Sequence, residues 1–103
     1  MSTVSSVSET QVIADIDAYI RKNGGVYSAW YCGIASDPRQ RLFTDHNVDE
    51  KNGAWIYSDC GTDTVARRVE DVFLRKGCKG GGGGGDRTSR YVYAYKITST
   101  TRE

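Results

Sequence analysis

Apolar residues recur along this chain with two spacings, which predict its helices and strands. In residues 8–23 and again in residues 64–76, apolar side chains return every three or four positions and so fall on one helical face. The first face consists of Val12, Ile13, Ile16, Tyr19 and Ile20, and the second of Val65, Ala66, Val69, Val72 and Phe73. Asn23-Gly24 and Gly77 then interrupt the two patterns, which is typical of helix ends. Both segments are therefore predicted to be amphipathic packing helices.

Three further segments have the composition of strands. They are residues 26–35, 54–60 and 90–98. In the last segment the side chains alternate between two faces, and one face carries Tyr91, Tyr93, Tyr95 and Ile97. The first is predicted to be continuous, because Ser28-Ala29-Trp30 contains no glycine, asparagine or proline that would encode a tight turn.

A third helix is predicted over residues 38–46, between the first two strands. Asp37 can cap its amino end, and Pro38 suits the first helical position because that residue needs no amide hydrogen. Three strands and three helices in this order predict an α+β fold, a small three-stranded sheet covered by about three helices.

Length and loop composition define the domain organisation. The chain has 103 residues, which is enough for one modest core, so residues 1–103 are predicted to form a single domain. The Ser-rich residues 1–7 are expected to be disordered. Residues 77–89 are predicted to be a loop containing the Gly80–Gly85 run, which is either a flexible linker or a bare backbone that approaches phosphates. No Gly-Lys-Ser/Thr follows this run, so it is not a Walker-type loop.

Composition and charge narrow the classes of function. A formal net charge of +1 gives no global attraction to polyanions, so any nucleic-acid binding must come from a local patch. No apolar run is long enough for a signal peptide or a membrane span. Cys32, Cys60 and Cys78 lack the spacing of metal ligands and are expected to be reduced thiols in a cytoplasmic protein.

The candidate chemistry lies around the first strand and the helix that follows it. Tyr31 lies on the strand, and Arg41 and His46 on the helix, which gathers a phenol, a guanidinium and an imidazole near one end of the sheet. Such a group suits phosphate chemistry. Glu70 falls at the edge of the apolar stripe of its helix, at roughly 100° per residue, where it is either a site ligand or a rim carboxylate paired with an arginine.

Two blocks of sequence resemble the GIY-YIG nuclease family. Tyr31-Cys32-Gly33, a polar turn, Arg41-Leu42 and His46 resemble the second half of the family signature, in which Tyr-Ile-Gly precedes a helix with an arginine and often a histidine. Ala66-Arg67-Arg68-Val69-Glu70 resembles the later helix, whose glutamate binds a divalent metal. Together the blocks cover residues 25–76, about half of the chain.

The resemblance implies a role for each matching residue. Glu70 would hold Mg²⁺ or Mn²⁺, and Arg41 would stabilise charge on the phosphoryl oxygens. Tyr31, with Tyr27 or a tyrosine of the last strand, would orient or deprotonate the attacking water. His46 would be a base or a phosphate contact.

The first strand of the family signature is atypical in this chain. Gly25-Val26-Tyr27 is only a few residues before Tyr31, where the family has a hairpin turn. Tyr95-Lys96-Ile97-Thr98 resembles the way in which the family's first strand often continues. A permuted core is therefore expected, in which the last strand takes the place of the missing one and Tyr93 or Tyr95 lies beside the strand of Tyr31.

The resulting functional expectation is a divalent-metal-dependent phosphodiesterase, endonuclease-like, acting on DNA or RNA. The alternative is a non-catalytic binder that holds a nucleic acid or a nucleotide-like ligand in the same cleft, and a third possibility is a plain interaction module. No membrane partner is expected.

Overall fold

The helices and strands of the chain form an α+β fold, as the sequence predicts. The computed structural model describes residues 8–81 and 85–103. In chain order the elements are helix α1 (Glu9–Lys22), a 3-10 turn (Tyr27–Ala29), strand β1 (Trp30–Ala35), a π-helical segment (Gln40–Asp45), strand β2 (Trp55–Asp59), helix α2 (Asp63–Lys76) and strand β3 (Tyr91–Lys96). Residues 1–7, for which disorder was expected, and Gly82–Gly84 lie outside the described residues.

The last strand of the chain lies in the centre of the sheet. The strand order is β1-β3-β2, and both pairings are antiparallel. In the first pairing Tyr31 lies opposite Tyr95, and Gly33 lies opposite Tyr93. The expectation that Tyr93 or Tyr95 lies beside the strand of Tyr31 is therefore confirmed.

The two faces of the sheet carry different cores. Helices α1 and α2 cover one face, whose core includes Val12, Ile16, Ile20, Trp30, Val69, Phe73, Val92 and Ala94. The π-helical segment and the loop after it cover the other face, whose core includes Leu42, Val48, Tyr93 and Tyr95. Alternation along β3 explains this division, since Val92 and Ala94 face the helices while Tyr93 and Tyr95 face the other way.

Polar side chains cap the starts of the helices, and a glycine ends α2. The Ser8 side chain accepts a hydrogen bond from the Gln11 amide at the start of α1 (3.0 Å), and Thr62 caps α2 in the same way. Asp37 accepts from the Gln40 amide (3.1 Å), so the predicted cap of the third helix is confirmed. Gly77, with φ of 121°, ends α2.

The prediction of one continuous strand over residues 26–35 was wrong in its first part. Tyr27–Ala29 form a 3-10 turn, and β1 begins only at Trp30. Trp30 pairs with Lys96, the last residue of β3, and one further bond, from the Ile97 amide to the Ala29 carbonyl (2.8 Å), follows before the pairing ends. The Tyr27 hydroxyl instead donates a hydrogen bond to Asp17 on α1.

The predicted helix over residues 38–46 is present, but its hydrogen bonding is π-helical. The His46 amide donates to the Arg41 carbonyl, five residues earlier (2.8 Å), and the Val48 amide closes the end of the segment by donating to the Leu42 carbonyl, six residues earlier (2.9 Å). Leu42 and His46 of this segment are buried against the face of the sheet that carries Tyr93 and Tyr95. The other predicted bounds agree with the structure to within one or two residues.

The start of the Gly-rich loop packs against β1 rather than extending into solvent. The Cys32 amide donates to the Lys79 carbonyl (2.9 Å), and the Lys79 amide donates to the Trp30 carbonyl (2.8 Å). At Gly80 an added Cβ would lie 2.5 Å from the Cys32 carbonyl oxygen, so the close approach requires glycine. The loop therefore covers the outer edge of β1.

Cys32, Cys60 and Cys78 are buried, and no disulfide joins them. Across residues 8–81 and 85–103, the helices are too short or too polar to cross a membrane.

Removing residues 86–103 should abolish cooperative unfolding. The truncation deletes β3, which is hydrogen bonded to both β1 and β2, and it exposes apolar side chains of both core faces. Thermal melting followed by circular dichroism should show no cooperative transition for the truncated chain. A truncated chain that melts like the full chain would contradict the central position of β3.

Candidate functional site

A small pocket beside β1 brings together residues that are distant in the sequence. Its volume is about 70 Å³, and its walls are Tyr31, Gly33, Ile34, Arg41, Glu70, Gly81, Gly85 and Tyr93. Three of the residues singled out from the sequence, Tyr31, Arg41 and Glu70, are among them. The π-helical segment, helix α2, strands β1 and β3 and the Gly-rich loop all contribute to this pocket.

The spacing Tyr31-x-Gly33 has a direct structural reason. Both residues lie on the same face of β1, and Tyr93 lies opposite Gly33 in β3. A Cβ added to Gly33 would be 2.6 Å from the Tyr93 hydroxyl, which is closer than atoms approach. The missing side chain at Gly33 therefore leaves the space in which the Tyr93 phenol reaches the pocket.

Glu70 reaches the pocket from α2, which packs on the opposite face of the sheet from Tyr93. The residue is only 5% exposed, and it lines the pocket. Burial raises the pKa of Glu70, while the nearby Arg67 opposes this shift. A partly desolvated carboxylate that faces a pocket is an acceptor that suits a cation.

In the described part of the chain, no cluster of several side chains could coordinate one metal ion together. That part of the chain contains no group of three or more histidine, cysteine, aspartate or glutamate residues that could hold a metal ion together. Glu70 could still hold an ion that keeps most of its water, which is the usual state of Mg²⁺ in proteins.

Arg41 lies at the pocket with its side chain about half exposed. Its guanidinium pairs with Asp45 four residues later (3.3 Å) and lies close enough to Tyr93 and Tyr31 to interact electrostatically with both phenols. Burial raises the pKa of Tyr93 to about 12, although Arg41 partly opposes the shift. Tyr93 is therefore a neutral phenol that can donate a hydrogen bond at physiological pH.

His46 lies behind Tyr93 and is not part of the pocket wall. The imidazole is buried, with Nδ1 2.6 Å from the Arg102 carbonyl oxygen and Nε2 2.8 Å from the Tyr93 hydroxyl. Because a carbonyl oxygen only accepts, Nδ1 carries the hydrogen and Nε2 accepts from Tyr93. The Tyr95 hydroxyl donates to the same Arg102 carbonyl oxygen (3.1 Å). This network fixes the Tyr93 phenol between the histidine and the pocket.

Tyr27 lies outside the pocket wall. Its hydroxyl is bonded to Asp17, and the Lys76 ammonium lies 5.4 Å from the centre of its ring. Tyr27, Tyr93 and Tyr95 were the tyrosines considered as partners of Tyr31. Of these three, Tyr93 lines the pocket beside Tyr31.

Some parts of the site had no separate signal in the sequence. The sequence offered Tyr93 only as one of two last-strand tyrosines expected beside Tyr31, and did not distinguish it from Tyr95. The Arg102 carbonyl, which orients His46, is a backbone group near the end of the chain, and no side-chain pattern indicates its role. Gly81 and Gly85 could be singled out only as members of a glycine run.

Comparison with known protein families, with curated protein sequences and with solved structures found no match to the chain.

We predict that His46 titrates below its ordinary pKa of 6.5, because burial disfavours the imidazolium and Arg41 adds to this effect. A depressed pKa means that His46 contributes stability that is fully present above pH 6.5 and is lost as the pH falls through the folded-state value. His46 is the one histidine of the chain, so its ring signals in NMR spectra need no assignment by mutation. Nitrogen-15 shifts should show hydrogen on Nδ1. A midpoint at or above 6.5, or hydrogen on Nε2 alone, would contradict the network.

Proposed function

We propose that this chain is a divalent-metal-dependent phosphodiesterase that cuts DNA or RNA. The observation that supports this most is the meeting of Tyr31, Arg41 and Glu70 in one pocket. These residues come from the two separate sequence blocks that resemble the GIY-YIG nuclease family, and packing alone gives no reason for all three to line the same small space. The pairing of β1 with β3 also agrees with a permuted version of that family's core.

Glu70 is the residue that would hold Mg²⁺ or Mn²⁺. Its carboxylate is buried, its pKa is raised by burial, and a cation would restore the charged state that burial disfavours. When bound, such an ion supplies charge stabilisation to the phosphoryl group and acidifies its water.

Arg41 would contact the non-bridging phosphoryl oxygens. Its ion pair with Asp45 is partly exposed, and pairs of this kind contribute only ~0.2–1 kcal/mol, so a phosphate can replace the carboxylate at low cost. A planar guanidinium can donate to two oxygens of one phosphate at once.

Tyr93 and His46 form a route for the proton of the attacking water. The Tyr93 oxygen would accept a proton from water while its own proton passes to Nε2 of His46, which already accepts its hydrogen bond. Because its pKa is lowered, His46 is neutral before the reaction and Nε2 has a lone pair for that proton. Tyr31, stacked 6.3 Å from Tyr93 between ring centres, would orient the water or the phosphate.

The alternative is a binder of nucleic acid or a nucleotide-like ligand that uses the same cleft without cutting. The observation that favours it is that Glu70 has no further acidic or histidine ligand grouped with it in the described residues. Arg41 and the phenols could then hold a phosphate without activating water. The cytoplasmic location stays a prediction under both proposals.

Replacing Glu70 by glutamine should separate the enzyme from the binder. We expect Mg²⁺-dependent cleavage of mixed DNA and RNA substrates to be lost, because the neutral amide cannot offset the charge of the ion. Binding in the presence of EDTA should persist or improve. The free energy of unfolding should change by no more than roughly 1 kcal/mol, because the variant keeps the shape of the side chain and removes a desolvated charge.

Glu9→Gln is the matched control, since Glu9 lies on α1, where it pairs with Arg68. It should cleave like the unaltered chain. Retained Mg²⁺-dependent cleavage by folded Glu70→Gln would remove this residue from the mechanism. Binding without cleavage by the unaltered chain would support the binder. If the unaltered chain neither binds nor cleaves nucleic acid, the interaction module is the remaining hypothesis.

Arg41→Lys should not rescue activity, although it keeps the positive charge. An ammonium is a point charge and cannot engage two phosphoryl oxygens in one plane, so we expect the cleavage rate to fall by ~100-fold or more. Arg75→Lys is the control, because Arg75 pairs with Asp71 at the same helical spacing but lies on α2 and is highly exposed. Equal cleavage rates for the two variants would show that Arg41 is an ordinary surface residue.

A further inference from the structure

A band of aromatic rings and one arginine lies on the sheet beyond the candidate site. We call Trp55, Tyr57, Tyr91 and Arg39 the aromatic band. The rings of Trp55 and Tyr57 are nearly parallel, with centres 6.1 Å apart, and Tyr91 meets Tyr57 edge to face at 6.2 Å. The Arg39 guanidinium lies 6.0 Å from the Trp55 ring centre. Flat aromatic faces with a cation beside them form a surface on which planar ligands can stack.

The aromatic band lies at the margin of the cover of this face, where Phe43 packs edge to face on Trp55 with ring centres 4.9 Å apart. Trp55, Tyr57 and Tyr91 are each partly exposed, whereas the central Tyr93 and Tyr95 are buried. β2 is an edge strand, so Trp55 and Tyr57 lie at the margin of the sheet. The Arg39 side chain is 50% exposed and is engaged by Glu50 in an ion pair that solvent reaches.

A continuous series of pockets joins the aromatic band to the candidate site. The site pocket shares Ile34, Arg41 and Gly85 with a larger pocket of about 320 Å³. That pocket in turn shares Ser36 and Asp37 with a third, of about 280 Å³, whose walls include Arg39, Tyr57 and Tyr91. The three pockets therefore follow one path around the end of β1.

The length of this path suits a nucleic-acid strand. Gly33, Tyr93 and Tyr57 are neighbours in register across the sheet. Two spacings between strands amount to ~10 Å, which is within reach of neighbouring nucleotides of one strand. A phosphate at Arg41 and a base at Tyr57 could thus belong to the same strand.

Charge along the path favours bases rather than phosphates in its middle. The larger pocket includes Asp37, Asp45 and Asp86 in its walls, and among the described residues Arg41 is its one arginine or lysine, placed where it joins the site pocket. Carboxylates repel phosphate oxygens but accept hydrogen bonds from the amino groups of bases. The cations Arg41 and Arg39 lie at the two ends of the path, where phosphates would be accepted.

We propose that the aromatic band stacks the bases of a single-stranded nucleic acid whose backbone passes Arg41. This inference rests on the proposed function and names its substrate class. Aromatic side chains stack on bases of any sequence, but the faces of bases in a duplex are already stacked on one another and are inaccessible. DNA and RNA share the chemistry that the band recognises.

Binding without metal tests this proposal independently of cleavage. In EDTA, fluorescence anisotropy would measure the affinity of labelled oligothymidylate, oligouridylate and a duplex of the same length. We expect both single strands to bind more tightly than the duplex. Tyr57→Ala and Tyr91→Ala should each weaken single-strand binding by roughly 5- to 150-fold, while Tyr57→Phe and Tyr91→Phe keep the ring and should bind like the unaltered chain.

A charge variant keeps the test decisive if an alanine variant fails to fold. Arg39→Gln should reduce the slope of log affinity against log salt by ~0.7, the value for one phosphate contact to a single strand. Arg75→Gln, which removes an exposed arginine on α2, should leave the slope unchanged. Equal slopes for these two variants would count against the proposal.

Three other outcomes would overturn the proposal. They are equal affinity for the duplex and the single strands, unchanged affinity in folded Tyr57→Ala and Tyr91→Ala, and no binding of any oligonucleotide at low salt. Because these measurements exclude metal, single-strand binding by a chain that never cleaves would refute the phosphodiesterase while leaving the aromatic band as a binding site.

Discussion

The pairing of β3 between β1 and β2 is the constraint on which the rest of this structure depends. β3 follows β1 and β2 in the sequence but lies between them in the sheet, so neither β1 nor β2 has its ladder until β3 is in place. Its alternation supplies Val92 and Ala94 to one core and Tyr93 and Tyr95 to the other. The same register that builds both cores aligns Tyr93 with Gly33, and so creates the wall of the candidate pocket.

The two sides of the pocket differ in the environment of their buried polar groups. On one side, Tyr93, His46, Tyr95 and the Arg102 carbonyl form a closed hydrogen-bonded network, which holds the phenol rigidly. On the other side, Glu70 is largely buried and its carboxylate lines the pocket, where burial raises its pKa. The Tyr93 hydrogen is held by Nε2 of His46, so the phenol oxygen and the Glu70 carboxylate both present acceptors to the pocket, which suits a cation and its bound water.

Secondary structure and the position of Glu70 were predictable because both follow from periodicity. At about 100° per residue Glu70 falls beside the apolar stripe of α2, and the structure finds it at that border. The start of β1 was not predictable, because it depends on where β3 ends and not on residues 26–29. The π-helical turns were also not predictable from the local sequence, since they accompany the packing of Leu42 and His46 on the sheet. Tyr93 could be anticipated beside Tyr31 only through the resemblance of the last strand to a nuclease strand.

The most direct test of this account is the place where a paramagnetic divalent ion binds. In NMR spectra of the full chain titrated with Mn²⁺, the amide signals of Gly33, Gly81 and Gly85 should broaden first, because these glycines line the pocket with Glu70. The selective broadening should be lost in Glu70→Gln. Broadening that begins elsewhere, for example around Asp37 and Asp86, or that persists unchanged in Glu70→Gln, would contradict the account.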